Sequence, residues 1–236
     1  MICGLARTHQ IFTSVNPQRR GAERYASLNI ANLMAIQQRE RVLATMLAKD
    51  GLSDLSGLEI LDVGCGGGGL FLRLMSWGAS PQLLHGIDVR GDCVLRARSI
   101  HPEIDIAEGN AAALPWAGER FDLVTQFTTF TSIPNDVVRK QAAKEIDRVL
   151  KPGGRLMWYD FWINPHNRDT HAIGRRELRR LFHGYRTMVR RATLAPPIAR
   201  ALVPHSQAVA SILQNVWLLQ SHLVGLLTKP EVVTTG

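Results

Sequence analysis

Residues 58–70 read LEILDVGCGGGGL, and this stretch leaves few folds open to the rest of the chain. The apolar run Ile60-Leu61-Asp62-Val63 reads as a buried strand that stops at Gly64-Cys65-Gly66-Gly67-Gly68-Gly69. Beyond the glycines, Leu70, Phe71, Leu74 and Met75 recur at helical spacing. Strand, glycine turn and helix in succession open a nucleotide-binding βαβ unit. Glycine is needed because the turn is tight and the ligand must approach bare backbone, where a Cβ would collide. Gly64, Gly66 and Gly69 also satisfy G-x-G-x-x-G, so the turn alone does not choose between nucleotide cofactors. Two carboxylates narrow the choice. Asp62 lies inside the strand, where a buried charge needs a polar partner. Asp88 ends the next strand-like run, residues 83–87, where it can take both hydroxyls of an adenosine ribose.

The rest of the chain continues the alternation. Residues 21–49 carry a helical apolar pattern ahead of the first strand, and a helix over 91–99 follows the second. A third strand at 104–107 leads into Gly109-Asn110-Ala111, and a fourth at 121–126 into Thr128-Thr129-Phe130-Thr131-Ser132. Ile133-Pro134-Asn135 opens a helix to residue 150, and Lys151-Pro152-Gly153-Gly154 stops it before a fifth strand at 155–161. Then come a loop over 162–173, a basic helix over 175–182, a strand at 185–192, an apolar proline-containing segment and a last strand at 221–227. Strands alternating with helices at this spacing predict an α/β fold, a parallel sheet covered on both faces.

Five motifs in order, LDVGCGGGG, GIDVR, GNAAALPW, RFDLVTQF and RVLKPGGRLMWYDF, span residues 58–161. Together they resemble the class I S-adenosylmethionine-dependent methyltransferases, nearest the ubiquinone/menaquinone-type branch that acts on small molecules. The resemblance implies a Rossmann-like seven-stranded sheet, mostly parallel with an antiparallel last strand and helices on both faces. The resemblance implies an N-terminal helical cap over 1–50 and a cofactor-binding core over 51–161. Residues 162–236, where the resemblance weakens, read as a substrate-side region of the same single domain, with an inserted lid at 194–217 because that connection is too long for a hairpin. The resemblance also implies S-adenosylmethionine as cofactor. Gly64, Cys65 and Gly66 would lie along its methionine part, Asp62 would hold the amino group and Asp88 the ribose diol. Val89 would pack on adenine, Asn110 and Ala111 would bond its edge, and Gln126 would meet methionine or acceptor. Tyr25 and Asn29 on the N-terminal helix would close over the cofactor.

Methyl transfer asks the protein mainly for alignment, because the sulfonium is already activated. A hydroxyl acceptor also needs a base, and the loop after the fifth strand offers His166 and His171 beside Asn164, Asn167 and Arg175. Phe127 and Tyr159, near the ends of strands four and five, complete the acceptor set. The fourth strand runs on as Gln126-Phe127-Thr128-Thr129, without the [N/D]-P-P-[Y/F] signature of enzymes that methylate planar amines. A small-molecule acceptor is therefore expected; the resemblance, rather than the missing signature, implies an accepting oxygen, from a natural product or sugar, with N- or C-methylation as alternatives. A nicotinamide-dependent oxidoreductase and a non-catalytic cofactor-binding module are the competing readings.

The formal net charge is +8, and residues 161–200 carry nine arginines against only Asp169 and Glu177. That excess can draw in a polar or anionic acceptor, a lipid headgroup or nucleic acid, or simply solvate a helix face. Few aromatics interleave these arginines, which argues against nucleic acid. Cys3, Cys65 and Cys93 have neither metal-ligand spacing nor the even number of a disulfide framework, as fits a reducing cytoplasm. The apolar stretch 208–227 is interrupted by Gln214, Asn215, Gln220 and His222 and is a poor membrane span. The expectation is a cytoplasmic protein, soluble or at most attached to a membrane surface, and a homodimer is compatible with it.

Overall fold

The computed structural model describes residues 28–164 and 170–231. The strand at the head of the glycine turn, β1 (Ile60–Val63), is buried at all four positions. It pairs in parallel with β2 (Leu84–Asp88) on one side, and β2 pairs with β3 (Asp105–Glu108). On its other side lie β4 (Phe121–Phe127) and β5 (Leu150–Phe161), also parallel. The last strands, β6 (Arg186–Leu194) and β7 (Gln220–Thr228), complete a seven-stranded sheet in the order β3-β2-β1-β4-β5-β7-β6. Only β7 runs antiparallel to its neighbours. This is the mostly parallel sheet with an antiparallel end that the sequence predicts.

Helices cover both faces, which is why the central strands are apolar on both sides. On one face α1 (Ile30–Lys49), α2 (Phe71–Ser76) and α3 (Gly91–Ile100) bury Leu43, Phe71 and Val94 against Ile60, Leu123 and Met157. On the other, α4 (Asp136–Val149) and α5 (Arg175–Leu181) bury Ile146 and Leu178 with Leu61, Val124 and Trp158. Two short helices, α6 (Pro196–Leu202) and α7 (Gln207–Leu213), form a third and smaller cluster with the start of α1 around Ala31, Ala199, Val203 and Ala210.

Two local readings change. Asn29 caps α1 by accepting from the Asn32 amide at 3.2 Å, so its side chain serves the helix. The Lys151-Pro152-Gly153-Gly154 run ends α4, but it lies within β5 rather than ahead of it. The register against β4 moves from Phe121↔Leu150 to Leu123↔Arg155, so these residues form a bulge. Their polar backbone is satisfied by Lys229: the Gly153 amide donates to its carbonyl at 3.2 Å and its amide donates to Gly154 at 2.8 Å. At the far end of α1, Asp50 accepts from Arg155 Nε at 2.6 Å and from Arg186, tying the helix to β5 just past its bulge and to the start of β6.

Candidate cofactor site

Ligands of open parallel sheets bind at the carboxyl ends of the strands. Here that edge carries the glycine turn, the residues after β2 and β3, and the loop over 128–132. The amides of Gly64 and Cys65 both donate to Ile87 O, at 2.8 and 3.0 Å, pinning the turn to β2. Gly64 has φ +77°, and a Cβ there would lie 2.1 Å from Thr129 Oγ1. Thr129 in turn donates to Val63 O at 2.9 Å, so turn and loop are in close contact. Gly66, at φ +52°, has no heavy atom within 4 Å of the place a Cβ would take, so its backbone faces open space. The turn is packed at Gly64 and bare at Gly66.

The two carboxylates flank that bare backbone. Asp88 is half-buried and accepts from the Gly66 amide and the Arg90 amide, both at 2.9 Å. Asp62 is buried and accepts from Thr125 Oγ1 at 2.6 Å. Burial pushes its pKa up to about 7, opposed by the Thr125 hydrogen bond and reinforced by the negative charge of Asp88.

Above the same face lies a residue that sequence reasoning missed. Arg39 of α1 places its guanidinium 4.7 Å from the centre of the Phe127 ring and 5.0 Å from that of Tyr159. Its Nε is buried with no hydrogen-bond partner, and burial holds the group below the usual arginine range. Tyr159 shares a hydrogen bond with Thr193 Oγ1 at 2.9 Å and stacks on His222, ring centres 4.6 Å apart. Burial drives the His222 pKa down to about 3, so that imidazole is neutral. Arg39 therefore stands over a neutral aromatic floor, within electrostatic reach of Asp62.

The other expected residues divide. Val89 and Ala111 are half-buried beside Asp88 and Asn110, while Asn110 Oδ1 accepts from the Ala112 amide at 2.9 Å and closes its own turn. Cys65 is buried, and burial raises its thiol pKa, which keeps it protonated and inert. Gln126 has no exposed surface in this structure, and its Oε1 accepts from the Thr129 and Phe130 amides at 3.2 and 3.4 Å. It shapes the 128–132 loop from beneath, because its position in β4 points to the face opposite Phe127.

The acceptor set also splits. Phe127 and Tyr159 lie on the α1 face, whereas Arg175 belongs to the opposite layer and donates to Val189 O at 3.2 Å. Asn164 donates to Thr170 Oγ1 at 3.0 Å. The His171 amide donates to Thr131 O at 3.0 Å, and its ring Nε2 lies 3.1 Å from Glu177 Oε2. Thr131 is itself held by Asp160, a buried carboxylate that accepts from its hydroxyl at 2.5 Å and whose pKa burial raises to about 7. Tyr25, His166 and Asn167 lie outside the described residues. His85 lies between Glu59 at 2.8 Å and Asp105 at 3.0 Å.

Strand order and the antiparallel β7 are those of the Rossmann-like methyltransferase fold. Comparison with known proteins agrees. Residues 60–154 match the family described as a methyltransferase domain. The chain is 32% identical over 157 residues to the demethylmenaquinone methyltransferase of Lactococcus lactis, covering 64% of this chain and 57% of that protein. It is 33% identical over 115 residues to a ubiquinone/menaquinone biosynthesis C-methyltransferase of Bartonella tribocorum, covering 45% and 42%. The chain thus spans about half the length of the curated relatives it matches. Among solved structures, a chain of the complex described as the Haloferax volcanii Trm112 methyltransferase activator with its methyltransferase partner superposes with a TM-score of 0.61 at 17% identity, covering 88% of this chain and 96% of that one.

Proposed function

We propose that the protein is an S-adenosylmethionine-dependent methyltransferase acting on a small-molecule acceptor, with a hydroxyl oxygen as the favoured target. The observation that carries this reading is the pair Asp62 and Asp88 around the bare backbone of Gly66. When bound, the cofactor supplies an electrophilic methyl group. Asp62 suits its ammonium and Asp88 its ribose diol, while the Arg39 guanidinium, whose Nε has no partner, suits its carboxylate. A partly buried guanidinium and a buried carboxyl group that do not pair with each other fit the two charges of one α-amino acid.

The nicotinamide reading loses support from topology. A dinucleotide fold builds its sheet from two parallel halves in the order 3-2-1-4-5-6, and here an antiparallel β7 separates β5 from β6. Titration calorimetry is the direct test: S-adenosylhomocysteine should bind and NAD should not. Asp88→Ala should cost about 1.5–3 kcal/mol of that binding through loss of charge-assisted hydrogen bonds. Unchanged affinity would remove Asp88 from the site.

For a hydroxyl acceptor, His171 is the described candidate base. With Nε2–H donated to Glu177, Nδ1 keeps its lone pair to receive the proton. His171→Ala should lower turnover roughly a hundredfold while sparing cofactor affinity, as measured by single-turnover kinetics beside calorimetry. The name of the Bartonella relative favours carbon as a second reading. NMR of product made with a labelled methyl donor distinguishes a methoxy from a C-methyl carbon. Cofactor binding without turnover on any acceptor pool would leave the non-catalytic reading.

A further inference from the structure

No helix among the described residues is long and apolar enough to cross a membrane. One edge of the molecule nevertheless leaves large apolar side chains in water. Val209 and Ile212 share a face of α7, 44% and 69% exposed, and Val216, Trp217 and Leu218 follow at 37%, 60% and 67%. The Arg191 guanidinium lies 3.9 Å from the centre of the Trp162 ring and 4.9 Å from that of Trp217, joining this segment to the end of β5, where Ile163 is 44% exposed. Single exposed apolar residues are ordinary, but a contiguous group marks a surface that something covers.

The charge around this group decides what covers it. Arg190 on β6 and Arg200 on α6 are exposed, and the sequence has no carboxylate between Glu177 and Glu231. A second copy of the chain would bring two such basic edges face to face, because a two-fold interface pairs a patch with itself. Nucleic acid would meet the arginines but leave Ile212 and Leu218 with no apolar partner. An anionic bilayer satisfies both halves: tryptophan settles at headgroup level, aliphatic side chains enter the acyl boundary, and arginines meet phosphates.

We propose that this edge, α7 with residues 216–218 and the Trp162–Arg191–Trp217 cluster, docks the protein on an anionic lipid surface. The docking is peripheral and does not depend on methyl transfer. Its position has a functional consequence that does rest on the reading above. β7 begins beside the patch, with His222 opposite Phe161 at the carboxyl end of β5, so the docked edge is also the edge of the candidate site. An acceptor dissolved in lipid would reach the site without crossing water.

The test uses the full chain and vesicles of phosphatidylcholine with and without phosphatidylglycerol, at low and high salt. Flotation should show binding only to the anionic vesicles, weakened by salt. The double variant Ile212→Asp/Leu218→Asp should bind at least about tenfold more weakly, because it places charge at the acyl boundary. Arg190→Glu/Arg200→Glu should lose at least a comparable factor, since each basic residue near an anionic surface contributes about fivefold. All four side chains are exposed, so both variants should keep wild-type circular dichroism and S-adenosylhomocysteine affinity. Absence of binding to anionic vesicles overturns the proposal, and so does binding that the Ile212→Asp/Leu218→Asp variant retains. A dimer in sedimentation velocity that this variant dissociates, without vesicle binding, would assign the patch to self-association instead.

Discussion

Replacing residues 195–216 by a short Gly/Ser linker is expected to abolish acceptor methylation while leaving cofactor binding nearly intact. The segment joins two strands that pair directly, β6 and β7, and a hairpin there needs only a few residues. Its apolar side chains fall into two sets. Ala199, Val203 and Ala210 turn inward onto α1, while Val209 and Ile212 face out. The inner set is a cluster separate from both main cores, so removing it leaves the packing around β1 untouched. At one end the Ala195 amide donates to Leu219 O at 2.8 Å, and at the other Gln214 O accepts from Gln38 Nε2 at 2.7 Å and from Gln220 Nε2 at 2.8 Å, Gln38 also accepting from the Thr193 amide at 2.9 Å. Losing the Gln214 carbonyl should cost about 1–2 kcal/mol of stability, which a folded domain tolerates. Calorimetry with S-adenosylhomocysteine and a turnover assay then read the two halves separately. Loss of folding and cofactor binding together would make the segment part of the core, and retained turnover would remove it from the acceptor site.

The parts of this architecture that were legible in the sequence are those whose causes are local. A strand, a glycine turn and a helix within residues 60–76 announce themselves, because the turn needs positive φ at Gly64 and bare backbone at Gly66. The bulge at Lys151-Pro152-Gly153-Gly154 did not, because its backbone partners belong to Lys229, far along the chain. Gln126 reads as a site residue because it ends a strand, and strand alternation turns it to the face opposite Phe127. Arg39 is legible from helical period alone. It lies four residues before Leu43 and seven before Met46, both buried, so helical period puts it on the inward stripe of α1. A charge on such a stripe deserves the question that Asp62 received. Asp160 gave less warning, since its partner Thr131 comes from a loop whose course no periodicity predicts.

The second large effect concerns Asp62 and pH. Its pKa is raised from 3.8 to about 7 by burial, so the folded protein holds a proton there that the unfolded chain releases near pH 4. The associated stability is fully present below pH about 4 and is lost as pH rises through about 7. Binding of an ammonium group reverses the preference, because it requires the carboxylate. Affinity for S-adenosylhomocysteine should therefore rise by about tenfold per pH unit between pH 5 and 7, one proton being released on binding. Asp62→Asn should remove the rise and weaken binding at pH 7.5 by about 3 kcal/mol or more, since a buried ammonium is left without its anion. The same variant should raise the unfolding midpoint of the ligand-free protein at pH 8, where wild type carries a buried charge. Asp160 titrates in the same range, so Asp160→Asn is the necessary control: it changes the support of Thr131 and should leave the rise in place. If the slope survives in Asp62→Asn and disappears in Asp160→Asn, the proton belongs to the loop anchor, and Asp62 does not hold the cofactor.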